Sequence, residues 1–117
     1  MESDFTELTN NLREVDRLVH EPARLLILTI LYAVESADFL YLQRQSSLTK
    51  GNLSAHLSRL EEAGYITIEK TYRGRIPLTL CQITNSGRQA LENYHQHLKR
   101  FVNQANLNKT SKNGGNT

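Results

Sequence analysis

A single cysteine, Cys81, stands in a chain of 117 residues, so no internal disulfide framework holds this protein and its packed core has to do so. Long apolar runs are missing as well. No stretch approaches the roughly 20 residues needed to span a bilayer. Asp4, Glu7 and the polar residues around them break any apolar segment of the kind that makes a secretory signal. A cytoplasmic protein without a membrane partner is therefore expected. Charge of one sign is scarce: 14 Lys plus Arg against 12 Asp plus Glu leave +2, too little to announce nucleic acid by net charge. There is no Gly-rich phosphate loop, no nucleophile motif and no carboxylate pair in an identifiable setting, which argues against an enzyme and implies no cofactor. The four histidines and one cysteine raise metal binding, but their spacing opposes it. His95 and His97 fall roughly 200° apart around a helix, and neither Cys-x-Cys nor His-x-x-x-His occurs. No internal repeat is visible.

What is present suits one domain with a core large enough to fold unaided, at 38% hydrophobic residues. Phe5, Leu8, Leu12, Val15, Leu18 and Val19 predict one amphipathic helix that runs to about His20, where the following Pro22 ends it. Pro22 is tolerated in the first turn of the next helix. That helix is apolar around most of its circumference from Leu25 to Val34, so it is expected at the centre of the core. Asp38 can cap a short helix carrying Phe39, Leu40 and Leu42, with Leu48 pointing inward from the turn that follows.

Leu53, Leu57 and Leu60 then recur at i, i+4 and i+7, the stripe of an amphipathic helix spanning 49–64, with Thr49 as its N-cap and Gly64 as its αL stop. Beyond Gly64 the period shifts to two. Tyr65 to Lys70 and Leu78 to Ile83 read as strands, joined through Arg73-Gly74-Arg75-Ile76-Pro77 in a loop somewhat longer than two residues. Thr84 caps a final helix with Leu91, Tyr94, His95, Leu98, Phe101 and Val102 along one face. The expected fold is mainly α with a small β-hairpin (α+β). One domain is expected over 1–105, followed by a mobile polar tail at 106–117.

Three strings carry a family resemblance: His-Glu-Pro-Ala-Arg-Leu at 20–25, Gly-Asn-Leu-Ser-Ala-His-Leu at 51–57, and Leu78 to Arg88 with its Ile-Thr-x-x-Gly-Arg ending. In this order they resemble the MarR/ArsR-like winged helix-turn-helix transcriptional regulators, over roughly residues 15–102. The resemblance implies double-stranded DNA as partner and repression as the mode of action.

A recognition helix presents its N-terminal half to the major groove and needs small or hydrogen-bonding side chains there. Lys50, Gly51, Asn52, Ser54 and Ala55 meet that requirement. Asn52 suits adenine, Ser54 a base or phosphate, Ala55 a thymine methyl, and Lys50 and Arg59 phosphate or guanine. Ser47, Thr49 and Ser58 complete the helical set. The wing offers Arg73 and Arg75 around Gly74, with Lys70 and Tyr72 on its stem, for phosphate or minor-groove contact. Plainer readings stand beside these. Lys50, Ser54 and Ser58 also fit any solvated helix face, and His56, at the edge of the leucine stripe, fits packing as well as phosphate contact. Cys81 reads as a buried small hydrophobe.

One winged helix covers a half-site, so a two-fold pair matched to a pseudo-palindromic operator is expected. Phe5, Leu8, Leu12 and Val15 of the first helix, with Leu91, Tyr94, Leu98, Phe101 and Val102 of the last, are the candidate dimer surface. A small-molecule effector would find room between the terminal helices and the winged domain. The alternative is a winged-helix module that docks other proteins without sequence-specific DNA binding.

Overall fold

The computed structural model describes residues 4–107. Five helices and three strands follow in the order α1 (Thr6–Arg13), α2 (Pro22–Val34), β1 (Ser36–Asp38), α3 (Phe39–Ser46), α4 (Lys50–Glu62), β2 (Ile66–Arg73), β3 (Ile76–Ile83) and α5 (Asn85–Gln104). The strands form one antiparallel sheet of order β1-β3-β2. Residues 108–117, which hold most of the expected tail, lie outside the described residues.

Local chemistry explains the helix boundaries. The Glu21 side chain accepts from Arg24 N–H and Pro22 occupies the first helical position, so α2 starts where its backbone donors are satisfied. Asp38 caps α3 by accepting from Tyr41 N–H. Thr49 caps α4 through Asn52 N–H, and Thr84 caps α5 through Gly87 N–H, both as the sequence leads one to expect. Gly64 follows the end of α4 with φ +81°, the left-handed conformation that costs glycine nothing.

The core gathers Ile27, Leu28 and Leu31 from α2, Leu42 from α3, the Leu53, Leu57, Leu60 stripe of α4, Ile66, Cys81 and Ile83 from the sheet, and Ala90 and Tyr94 from α5. Cys81 is fully buried, as expected. Leu48, in the turn between α3 and α4, packs against this cluster.

Four expectations need correction. The first helix stops at Arg13. Asp16 accepts from the backbone N–H groups of Leu18 and Val19 and from the hydroxyl of Tyr65, and this turn competes with the helix, sending Val15 and Val19 into the core. Next, α2 is not apolar-buried all round, since Leu26, Tyr32 and Val34 remain exposed. A third strand, β1, pairs Ser36, Ala37 and Asp38 with Gln82, Cys81 and Leu80. The hairpin loop is two residues long: Arg73 faces Ile76, and Gly74 takes φ +64° while Arg75 does not turn positive, the pattern of a type II′ turn. Pro77 is tolerated in β3 because it pairs with Tyr72 beyond the end of β1, where its missing N–H faces an open edge.

Candidate nucleic-acid interface

Because successive helix residues rotate by about 100°, burying Leu53, Leu57 and Leu60 turns Gly51, Ala55, Ser58 and Glu62 outward. Lys50 and Ser54 lean to the wing side of that outward face, and Asn52, His56 and Arg59 to the α2 side. Ser47, Thr49, Lys50, Asn52, Ser54, Ala55, Ser58 and Arg59 are all exposed, so the helical candidates share one solvent-facing surface with the turn before them. Ser47 itself caps α3 in the left-handed conformation, φ 60°, and reverses the chain between the two helices. The hydroxyl of Thr49 is engaged as the α4 cap. The partial positive charge of the α4 N-terminus adds to Lys50 on this surface, while Glu61 and Glu62 sit at the far end.

The wing's cations are divided by the strand's period of two. Lys70 and Tyr72 share the face that looks toward α4, whereas Arg73 alternates to the other. There its guanidinium comes within 4.0 Å of the Asp38 carboxylate, so the stem is tied to the start of α3. Arg73 remains 74% exposed, and a pair this open to water binds weakly enough for a phosphate to compete. Arg75 stands at the tip. Among the described residues, Lys50, Arg59, Lys70 and Arg75 form no ion pair.

Between wing and recognition helix lies a cleft of about 600 Å³, with Lys50, Ser54 and Ser58 on one wall, Lys70 and Thr79 on the other, and Leu57, Ile68 and Leu78 beneath. Gln43 and Leu40 of α3 also line it, Leu40 with 62% of its surface exposed. Neither residue is among the candidates that the sequence motifs single out. A signal existed in the alternation of α3, which turns Leu42 inward and Leu40 and Gln43 away from it.

His56 behaves differently from its neighbours. Its ring faces the N-terminus of α2, where Nδ1 lies 3.2 Å from Arg24 Nη1 and 3.9 Å from Glu21 Oε1. The ring is thus turned toward α2 rather than along the outward face of α4.

The candidate dimer surface separates in the same way. Val15 and Tyr94 are spent inside the protomer, at 4% and 6% exposure, which corrects their assignment to a partner-facing surface. Tyr94 also binds His20 Nδ1 through its hydroxyl at 2.9 Å. Leu91 and Leu98 pack against the core. Phe5 and Leu12 stay exposed, with Leu8, Phe101 and Val102 half-buried where α1 lies along the C-terminal part of α5. Gln104 joins the two helices, donating to Glu7 and accepting from Asn11. A second cleft of about 390 Å³ runs between α2 and α5, lined by Leu25, Thr29, Tyr32, Leu91, Tyr94 and Leu98 among others. Among the described residues no group of three potential ligands could hold a metal ion, and no helix is long and apolar enough to cross a membrane.

A helix-turn-helix with its second helix exposed, backed by a three-stranded sheet whose hairpin carries free cations, is the winged helix-turn-helix architecture of MarR-like transcriptional regulators. The chain belongs to the winged helix DNA-binding domain family, whose pattern it matches over residues 23–102. It is 40% identical over 79 residues to an uncharacterized protein of Methanocaldococcus jannaschii, an alignment covering 67% of this chain and 85% of that one. The structure of a transcriptional regulator homologue from Pyrococcus horikoshii OT3 superposes with a TM-score of 0.77 at 27% identity, over 86% of this chain and 98% of that chain. The transcriptional regulator BldR from Sulfolobus solfataricus superposes at 0.63 with 24% identity, over 86% and 70% of the two chains, a likeness of fold.

Proposed function

We propose that this protein is a cytoplasmic, sequence-specific, homodimeric transcriptional repressor that binds a pseudo-palindromic operator in double-stranded DNA. The observation that carries the reading is the exposed, polar face of α4 standing across a cleft from a hairpin whose cations are largely unpaired. Small side chains at Gly51, Ser54 and Ala55 let the helix backbone approach base edges, Asn52 supplies a bidentate amide, and Lys50 and Lys70 flank the path of a phosphate chain. Arg75, at the tip of the hairpin, would reach the neighbouring minor groove in this reading. Pairing two half-sites falls to the surface that α1 and α5 build beside the core, where Phe5 and Leu12 remain exposed. The α2–α5 cleft is the concavity we assign to a small-molecule effector.

Selection of duplexes from a randomised pool, followed by anisotropy titration at two salt concentrations, tests this. Wild type should enrich a two-fold motif, and the Arg73→Ala, Arg75→Ala double variant should bind it more weakly with a salt slope reduced by about 1–2. Absence of enrichment, with binding indifferent to the wing, would instead favour a protein-docking module.

A further inference from the structure

Two of the strings that carry the family resemblance lie far apart in sequence, at 20–25 and 51–57, and the fold brings their polar members together. Glu21 and Arg24 come from the first and His56 from the second. Arg24 Nε donates to the carbonyl of Leu18 at 2.7 Å, its Nη1 meets His56 Nδ1 at 3.2 Å, and its backbone N–H is held by Glu21 at 2.8 Å. One residue, through its side chain and its backbone N–H, therefore fastens the loop before α2, the start of α2 and the side of the recognition helix. A guanidinium has no acceptor, so His56 Nδ1 must accept, and the ring must be neutral with its proton on Nε2.

We propose that Glu21, Arg24 and His56 form a latch that sets the pose of the recognition helix on α2, and that a proton on His56 opens it and weakens DNA binding below neutral pH. Protonation converts Nδ1 into a donor, which destroys its bond from Arg24 and brings two cations to within 3.2 Å. Glu21, at 3.9 Å from the same nitrogen, then attracts the imidazolium and draws it away from Arg24. Glu21 and Arg24 are the charged groups that face His56 from α2 and its cap. Its own helix places Asn52 one turn before and Arg59 one turn after, and among the described residues no other carboxylate lies within ion-pair distance of it. The ring is partly exposed, with 22% of its side chain open to solvent, so a proton can reach it without unfolding. Histidine is the side chain that changes charge between about pH 5 and 8. Arg24 and Glu21 are positioning residues in this scheme, acting on DNA through α4.

This inference rests on the DNA-binding reading, and its test separates the two. Long-range nitrogen NMR of the full chain should find His56 as the Nε2–H tautomer above neutrality. Hydrogen exchange of the Leu53 and Leu57 amides, corrected for intrinsic rates, should quicken as His56 protonates. In anisotropy, wild type should lose affinity for the selected duplex about fivefold or more between about pH 8 and 5.5, the low end of ordinary coupling between sites. His56→Asn keeps an acceptor near the Nδ1 position and does not titrate, so it should lack this loss while sharing every other histidine. Glu21→Gln keeps the capping oxygen but removes the charge, and should move the midpoint to lower pH. Superimposable pH profiles for wild type and His56→Asn, or a proton on Nδ1 at neutrality, overturn the latch. If no duplex binds at any pH, the DNA reading fails, while NMR and exchange still decide whether the latch exists.

Discussion

Two glycines show opposite reasons for the same residue type. At Gly87 an added Cβ would lie 2.1 Å from the backbone carbonyl oxygen of Tyr65, so α5 touches the start of the sheet with no room for a methyl group. Gly87→Ala should cost about 1–3 kcal/mol in urea unfolding, because the obstacle is backbone and cannot rotate away. Gly51, in the first turn of α4, has nothing within 4 Å of the corresponding position. Gly51→Ala should stabilise the fold by about 0.5–1 kcal/mol through the unfolded chain. The same methyl group would stand between the helix backbone and the base edges, so affinity for the selected duplex should fall even as stability rises. Unchanged affinity would place the DNA elsewhere. The role we propose for Gly51 follows from its place in a recognition-helix motif, whereas the packing of Gly87 was not legible, since its neighbour Tyr65 is distant in sequence.

At the scale of elements, capping decides where helices begin, and it was largely legible because caps act over three residues. Thr49→Ala should lower stability by about 1 kcal/mol by orphaning the Asn52 N–H. Thr49→Ser should restore most of that loss in the same denaturation experiment. The sheet carries a dependence on alkaline pH. Burial pushes the Cys81 thiol up to about 11, with Glu61 and Asp38 adding to the effect, and burial together with the Asp16 hydrogen bond pushes Tyr65 up to about 12. Both groups hold their protons more tightly folded than unfolded. Their stabilisation is complete below the unfolded thiol value of about 8.5 and is lost as pH rises through the folded values. The urea midpoint should therefore fall between about pH 8 and 11, and less steeply in Cys81→Ala. Strand β1 was invisible at this scale, since three residues carry no period and pair only because β3 is already in place.

For the whole molecule the question is what covers Phe5 and Leu12, which are 60% and 47% exposed on a helix without a single buried residue. An isolated eight-residue helix is marginal in water, so α1 depends on what packs against it. If a second copy does, sedimentation at micromolar concentration should give twice the chain mass. Leu12→Glu with Phe101→Glu should then yield a monomer of unchanged core packing and weaker operator binding. A monomeric wild type would remove the two-fold operator from the proposal. The candidate dimer surface was partly legible as two amphipathic ends. Which of its residues remain free was not, because Val15 and Tyr94 follow the same periodicities as their neighbours and end in the core.

Sequence by itself determined the elements whose causes are local. The leucine stripe of α4, its threonine cap and αL glycine, the existence of the Arg-Gly-Arg turn and the lack of a second cysteine for an internal disulfide all follow from residue type and spacing. Tertiary structure alone decided where those elements meet. Asp16 turns against Tyr65 and cuts short a helix that periodicity would continue. Arg73 leaves the recognition face for Asp38, and His56 leaves it for Arg24 and Glu21. A helical or extended pattern states which way a side chain points from its own axis. The partner it finds there depends on how the axes pack, and that is settled by contacts between residues tens of positions apart.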